Sequence, residues 1–151
     1  MKYLSFLLVI SFFGISCNEG PKKPDVSNIK VDLTLRRFDQ DFFKIDTLNL
    51  TTSLIKLEKE YPTFYADFIQ KIVGVNADDS ISFNHDIKRF IKDYRPLFDS
   101  LKKVESGIQE AALESKEALK YVKYYFPSYQ VPAIITTVGP MDALAPMSNN
   151  E

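Results

Sequence analysis

The sequence has no tryptophan, one cysteine, one histidine and five glycines among its 151 residues. A single cysteine excludes an internal disulfide, and with it the small disulfide-stapled scaffolds. A single histidine, His85, with no clustered cysteines excludes the usual three- or four-ligand zinc site. His-Glu-x-x-His, Gly-x-Ser-x-Gly and the phosphate-binding P-loop are all absent, so no catalytic motif and no cofactor are expected. The few glycines exclude collagen-like and low-complexity classes. Charge of one sign is also missing. Of the 19 Lys and Arg only Lys2 precedes residue 17, and none of the 20 acids does, so the chain beyond carries 18 basic against 20 acidic side chains. That balance offers no basic face for nucleic acid.

The N-terminus is where apolar character is concentrated. Met1-Lys2 leads into a run from Tyr3 to Phe13 interrupted only by Ser5 and Ser11. A run of about 11 residues is too short for a bilayer, which takes about 20; with an early positive charge it has the layout of a signal peptide. It ends in Gly14-Ile15-Ser16-Cys17, which resembles a bacterial lipobox, in which a small residue precedes a cysteine that is lipidated and becomes the mature N-terminus. A lipidated Cys17 gives a membrane anchor, since acyl chains contribute about 0.8 kcal/mol per buried CH₂. Residues 18–28, with Gly20, Pro21, Lys22, Lys23 and Pro24, have the composition of a flexible tether. The expected divisions are a signal peptide at 1–16, lipidated cysteine and tether at 17–28, a folded region at 29–138, and a polar tail or truncated continuation at 139–151.

Within the folded region, Ile29, Val31, Leu33 and Leu35 alternate with polar residues as in a half-buried strand. Phe38 and Phe42 are one helical turn apart. Leu50, Leu54, Leu57 and Tyr61 mark the next helix; Pro62 restarts the chain, and Phe64, Tyr65, Phe68, Ile69 and Ile72 form a further stripe that Gly74 ends. A helix is expected from about Asn84, with Pro96 as a boundary, followed by a long helix carrying Ile108, Ala111, Ala112, Leu119, Val122, Tyr125 and Phe126. Val131 to Val138 is β-branched and reads as a strand. The pattern is a mainly α fold with a few β-strands (α+β): a helical domain after an N-terminal strand.

Several residues invite a chemical reading. Asp39 and Asp41 could form a carboxylate pair, but beside Arg36 and Arg37 they read as a charged face at a strand-to-helix turn. His85 beside Asp86 reads as a helix-start residue. Asp78-Asp79 lacks the spacing of a calcium loop. Twelve Phe and eight Tyr are a high aromatic load, with runs at Phe42-Phe43, Phe64-Tyr65 and Tyr124-Tyr125-Phe126; core packing is the default, with one member of each pair turned toward another element or a partner protein. Asp46-Thr47-Leu48, Asp79-Ser80-Ile81 and Asp99-Ser100-Leu101 fit an Asp-Ser/Thr-apolar pattern used by some bacteria for O-glycosylation.

Three blocks in order resemble the gliding motility lipoprotein GldB family: Arg37-Phe38-Asp39-Gln40-Asp41-Phe42-Phe43, Glu60-Tyr61-Pro62-Thr63-Phe64-Tyr65, and Tyr124-Tyr125-Phe126-Pro127-Ser128-Tyr129 followed by Pro132 and Ile134-Ile135-Thr136. The motif residues of the resemblance are Arg37, Phe38, Asp39, Tyr61, Pro62, Tyr125, Phe126 and Pro127. It implies an envelope lipoprotein held at a membrane through Cys17, periplasmic side, acting beside proteins of the gliding or secretion machinery and without enzymatic activity in this chain. It also implies kinship with zinc-dependent peptidases, hence an incomplete zincin-like architecture whose metal site would lie beyond residue 151, because family members are considerably longer. The alternatives are the N-terminal part of such an enzyme, or a generic structural envelope lipoprotein.

Overall fold

Phe38 and Phe42 explain why a six-residue helix, far too short to be stable alone, forms at all. In the computed structural model, which describes residues 22–75 and 80–141, helix α1 (Phe38–Phe43) runs through the middle of the core. Its aromatic residues are almost fully buried. Phe38 meets Tyr61 and Phe64 edge-on at 4.9 and 5.0 Å between ring centroids, and Phe68 at 4.6 Å. Phe42 reaches Phe68 at 4.7 Å and Phe90 at 6.0 Å. Phe43 stacks on Phe98 at 4.5 Å. The two rings of the Phe42-Phe43 pair point to different elements, as expected for neighbours on a helix, and both are buried because elements pack against α1 on both of those sides.

Those elements follow in chain order. Helix α2 (Leu50–Glu60) buries Leu50, Leu54 and Leu57. Its end is Tyr61, whose carbonyl accepts a hydrogen bond from the Tyr65 N–H at 2.9 Å. Pro62 thus occupies a first turn in which its missing N–H costs nothing. Helix α3 (Phe64–Asp67) widens into a π-helical segment, Phe68–Val73. Gly74 stops it at φ +76°, with the N–H groups of Gly74 and Val75 both donating to the Ile69 carbonyl. That is the left-handed cap glycine adopts without strain.

Helix α4 (Ser80–Leu101) starts four residues before the expected Asn84 and passes straight through Pro96. The proline was expected to be a boundary. An interior proline costs about 3 kcal/mol, and the contacts around it offset that cost. Phe98 stacks on Phe43, and Arg95 donates to the Phe43 carbonyl at 2.7 Å. A 3-10 turn, Lys102–Val104, leads into helix α5 (Glu105–Tyr125).

The strands are much shorter than their sequence patterns. β1 is Leu35–Arg36 and β2 is Ile134–Ile135, paired in parallel with Leu35 opposite Ile134. Residues 29–34 keep the alternation, with Val31 buried, but ladder bonds exist only where a partner strand lies alongside. After β2 the chain tucks between the π-helical segment and α4: Val138 is buried, and a Cβ on Gly139 would lie 2.5 Å from the Ile72 Cγ2. The fold is mainly helical with two short strands. A zincin-like architecture finds no support, since the described sheet has two strands and no metal-ligand group accompanies it.

Helix α5 departs furthest from expectation. Its apolar stripe predicts a buried face, yet none of its described side chains is buried. Ile108, Ala112, Leu119 and Val122 are half-covered, and Leu113, Tyr124 and Tyr125 are exposed. Amphipathic patterning records that a face wants cover, without supplying the element that covers it. Two substitutions should separate core from open surface in denaturant unfolding. Phe38→Ala is expected to lower stability by about 3–5 kcal/mol. Gly107→Ala on α5, where an added Cβ meets nothing within 4 Å, is expected to raise it by about 0.5–1 kcal/mol.

Candidate functional site

Residues that the sequence separates widely converge beside β1. The Arg37 guanidinium grips the Asp39 carboxylate with two parallel bonds, Nε to Oδ1 at 2.9 Å and Nη2 to Oδ2 at 2.8 Å. The Thr136 hydroxyl donates to the same carboxylate. On the backbone, Asp39 N–H donates to the Thr136 carbonyl and Thr136 N–H to the Arg36 carbonyl, each at 3.0 Å. Asp39 is 5% exposed. Burial pushes its carboxyl up, but the bonds from Arg37 and Thr136 and the guanidinium charge outweigh that and hold it below the usual carboxylate range. A bidentate, charge-assisted pair of this kind is geometrically specific.

Arg36 turns the other way. Its guanidinium lies 4.1 Å from the centre of the Tyr61 ring and donates to the Glu60 carbonyl at the end of α2. Tyr61 in turn donates its hydroxyl to Asp41 at 2.5 Å. Burial and the Asp41 carboxylate push the Tyr61 hydroxyl well above its ordinary value, so it stays a neutral donor. Asp39 and Asp41 therefore have separate partners on separate sides. They are not an acid–base couple, and Asp39 is not a solvated face residue as the sequence suggested, because Thr136 arrives from 97 residues away to bury it.

The motif residues divide into two groups. Arg37, Phe38, Asp39 and Tyr61 sit together, with Pro62 next to them opening the α3 turn. Tyr125 and Phe126 stand apart at the end of α5, 62% and 64% exposed, followed by Pro127. From the third block it is Thr136, not the aromatics, that joins the first. Nothing in the sequence sets Thr136 apart from the rest of its block, because a threonine in a β-branched run looks like any strand residue. Cys17 and Asp78-Asp79 lie outside the described residues. Thr47 is half-buried, and the Ser100 hydroxyl is bonded back to the Pro96 carbonyl. His85 is exposed, with Nδ1 3.2 Å from Asp86. Among the described residues no group of three or more His, Cys, Asp or Glu is placed to hold a metal, and no helix is long and apolar enough to cross a membrane.

Open space lies instead between α5 and the sheet. A groove of about 460 Å³ is walled by Leu35 and Ile134 on the strands and by Val104, Ile108, Ala111 and Ala112 along the start of α5. Gly107, Ser115 and Thr136 complete it, so its lining holds no ionisable side chain. Small residues on α5 keep the helix backbone accessible along this stretch. The sequence displayed the small and aliphatic spacing but not the strand wall opposite.

The clamp has a testable pH signature. Asp39 is lowered in the folded state, so its contribution is complete above the unfolded carboxylate pKa of about 3.9 and is lost as pH falls further, through the folded value. Asp39→Asn should flatten the acid limb of the melting temperature against pH, and should cost about 3 kcal/mol near neutrality by leaving Arg37 without its carboxylate. An acid limb unchanged from the parent protein would remove Asp39 from that role.

The family model for the gliding motility protein GldB matches residues 19–150, which takes in all three motif blocks and the whole described structure. No curated protein and no solved structure matches. The match takes in both the Arg37–Asp39–Thr136 clamp and the groove, and the chain belongs to the gliding motility protein GldB family.

Proposed function

We propose that the chain is a lipid-anchored envelope protein that contributes to gliding by holding a partner protein, with no catalytic step of its own. Family membership supports a gliding-related lipoprotein in the cell envelope. The contact reading rests on one observation, the apolar groove between α5 and the strands with no ionisable residue in its lining. With no ionisable side chain in its lining, the groove offers no general acid or base to activate the hydroxyls of Ser115 and Thr136, whereas aliphatic walls beside small helical residues suit an aliphatic segment of a partner in the gliding or secretion machinery. The anchor reading rests on Gly14-Ile15-Ser16-Cys17 at the end of the apolar run. Cys17 would carry the acyl groups, and the tether would connect it to the folded region.

Ala111→Glu places a charge in the groove on an exposed helix position. It should abolish colony spreading while leaving the amount of protein and its thermal unfolding unchanged. Spreading at the parental rate would remove the groove from the function. Cys17→Ala should move the protein from the membrane fraction to the soluble fraction, or leave the precursor uncleaved. Fractionation unchanged from the parent would sink the anchor.

A further inference from the structure

The far end of α5 differs in chemistry from the half that lines the groove. Lys22, Lys23 and Pro24 lie against Tyr121 and Tyr125 around a shallow cleft of about 340 Å³. Tyr124, Tyr125 and Phe126 are exposed beside it, at 48%, 62% and 64%. This end is also cationic: residues 118–141 contain Lys120 and Lys123 and no acid, although Glu117 pairs with Lys120, and Glu19 and Asp25 flank the two tether lysines. Clustered exposed Tyr and Phe with lysines around them have the composition of a surface that sits in the headgroup region of a bilayer. The ring bodies are apolar there, while hydroxyls and ammonium groups meet water and phosphate.

Chain length limits where this end can be. Lys22 is five residues from Cys17, and five extended residues reach at most about 17 Å. Whatever orientation the rest of the molecule takes, an acylated Cys17 keeps Lys22, and the cleft Lys22 helps to wall, within that distance of the acyl chains.

We infer that the Lys22–Lys23 and Tyr121–Phe126 end of the molecule seats on an anionic lipid surface, so that α5 stands with its C-terminal end at the membrane and its groove-lining start directed away from it. The inference rests on the lipid-anchor reading of Cys17. The aromatics enter the boundary between headgroups and acyl chains, and the lysines take the anionic headgroups. The acyl groups hold the protein at the membrane without setting its orientation, and a seated face supplies a further contact that does. The seated end and the groove would then share one helix, and the groove would face partners across the envelope rather than the bilayer.

The absence of tryptophan makes the test direct. Tyr125→Trp and Leu113→Trp each place one fluorophore at an exposed position on α5, separated by twelve residues, or about 18 Å along the helix. The acylated protein, with acylation checked by intact mass, is reconstituted into vesicles of phosphatidylethanolamine and phosphatidylglycerol with brominated acyl chains. The Tyr125→Trp reporter should be blue-shifted and lose most of its emission, while the Leu113→Trp reporter keeps its own. Adding Lys22→Glu and Lys23→Glu, or raising the salt, should restore much of the lost emission. A vesicle-bound, acylated protein whose Tyr125→Trp reporter is unquenched overturns the inference and leaves that end for a protein partner. Equal quenching at both positions overturns the end-on orientation. A mass without acyl groups is a separate failure: it removes the anchor, and this inference with it.

Discussion

Arg37, Asp39 and Thr136 form the joint on which the arrangement depends. A parallel pair two residues long is far below the length at which strands are stable by themselves. Here its register is fixed by a carboxylate held on one side by a guanidinium and on the other by the hydroxyl of Thr136, the residue that follows β2. The same short segment continues into α1, so the polar joint and the aromatic core share adjacent residues. Asp39 cannot be displaced without moving Phe38, and Phe38 touches Tyr61, Phe64 and Phe68.

Two arginines repeat one device at the edge of that core. Arg36 donates to the last carbonyl of α2 and covers the Tyr61 ring; Arg95 donates to the last carbonyl of α1 and lies 5.3 Å from the centre of Phe43. In each case a cation meets the partial negative charge at a helix C-terminus while it lies within cation–π range of an aromatic ring. The pairs tie β1 to α2 and α4 to α1. The Arg95 contact, with the Phe98 stack, also accounts for α4 tolerating Pro96, since both residues are committed to α1.

Helix α5 carries two surfaces of different chemistry. Its first half offers small and aliphatic residues toward the strands; its second half ends in exposed rings beside Lys22 and Lys23. Neither half is buried, and its contribution to stability is correspondingly small. What it contributes is position, holding an apolar groove at one end and an aromatic, cationic surface at the other on a single rigid rod.

The sequence determined the local elements well, because turns and stripes are short-range facts. Pro62, Gly74 and the spacing of Leu50, Leu54 and Leu57 each act within a few residues, and the helices form where these place them. The three motif blocks were equally legible, and they lead to the family. Only the tertiary structure decided what depends on distant residues meeting. Asp39 is a surface acid by sequence and a buried one in the fold because Thr136 reaches it from the far end of the chain. The strands shrink to two residues because a ladder lasts only as long as its partner. Pro96 sits inside a helix because Phe43 and Phe98 stack. The stripe on α5 stays open because periodicity records a preference for burial, and burial itself requires a second surface.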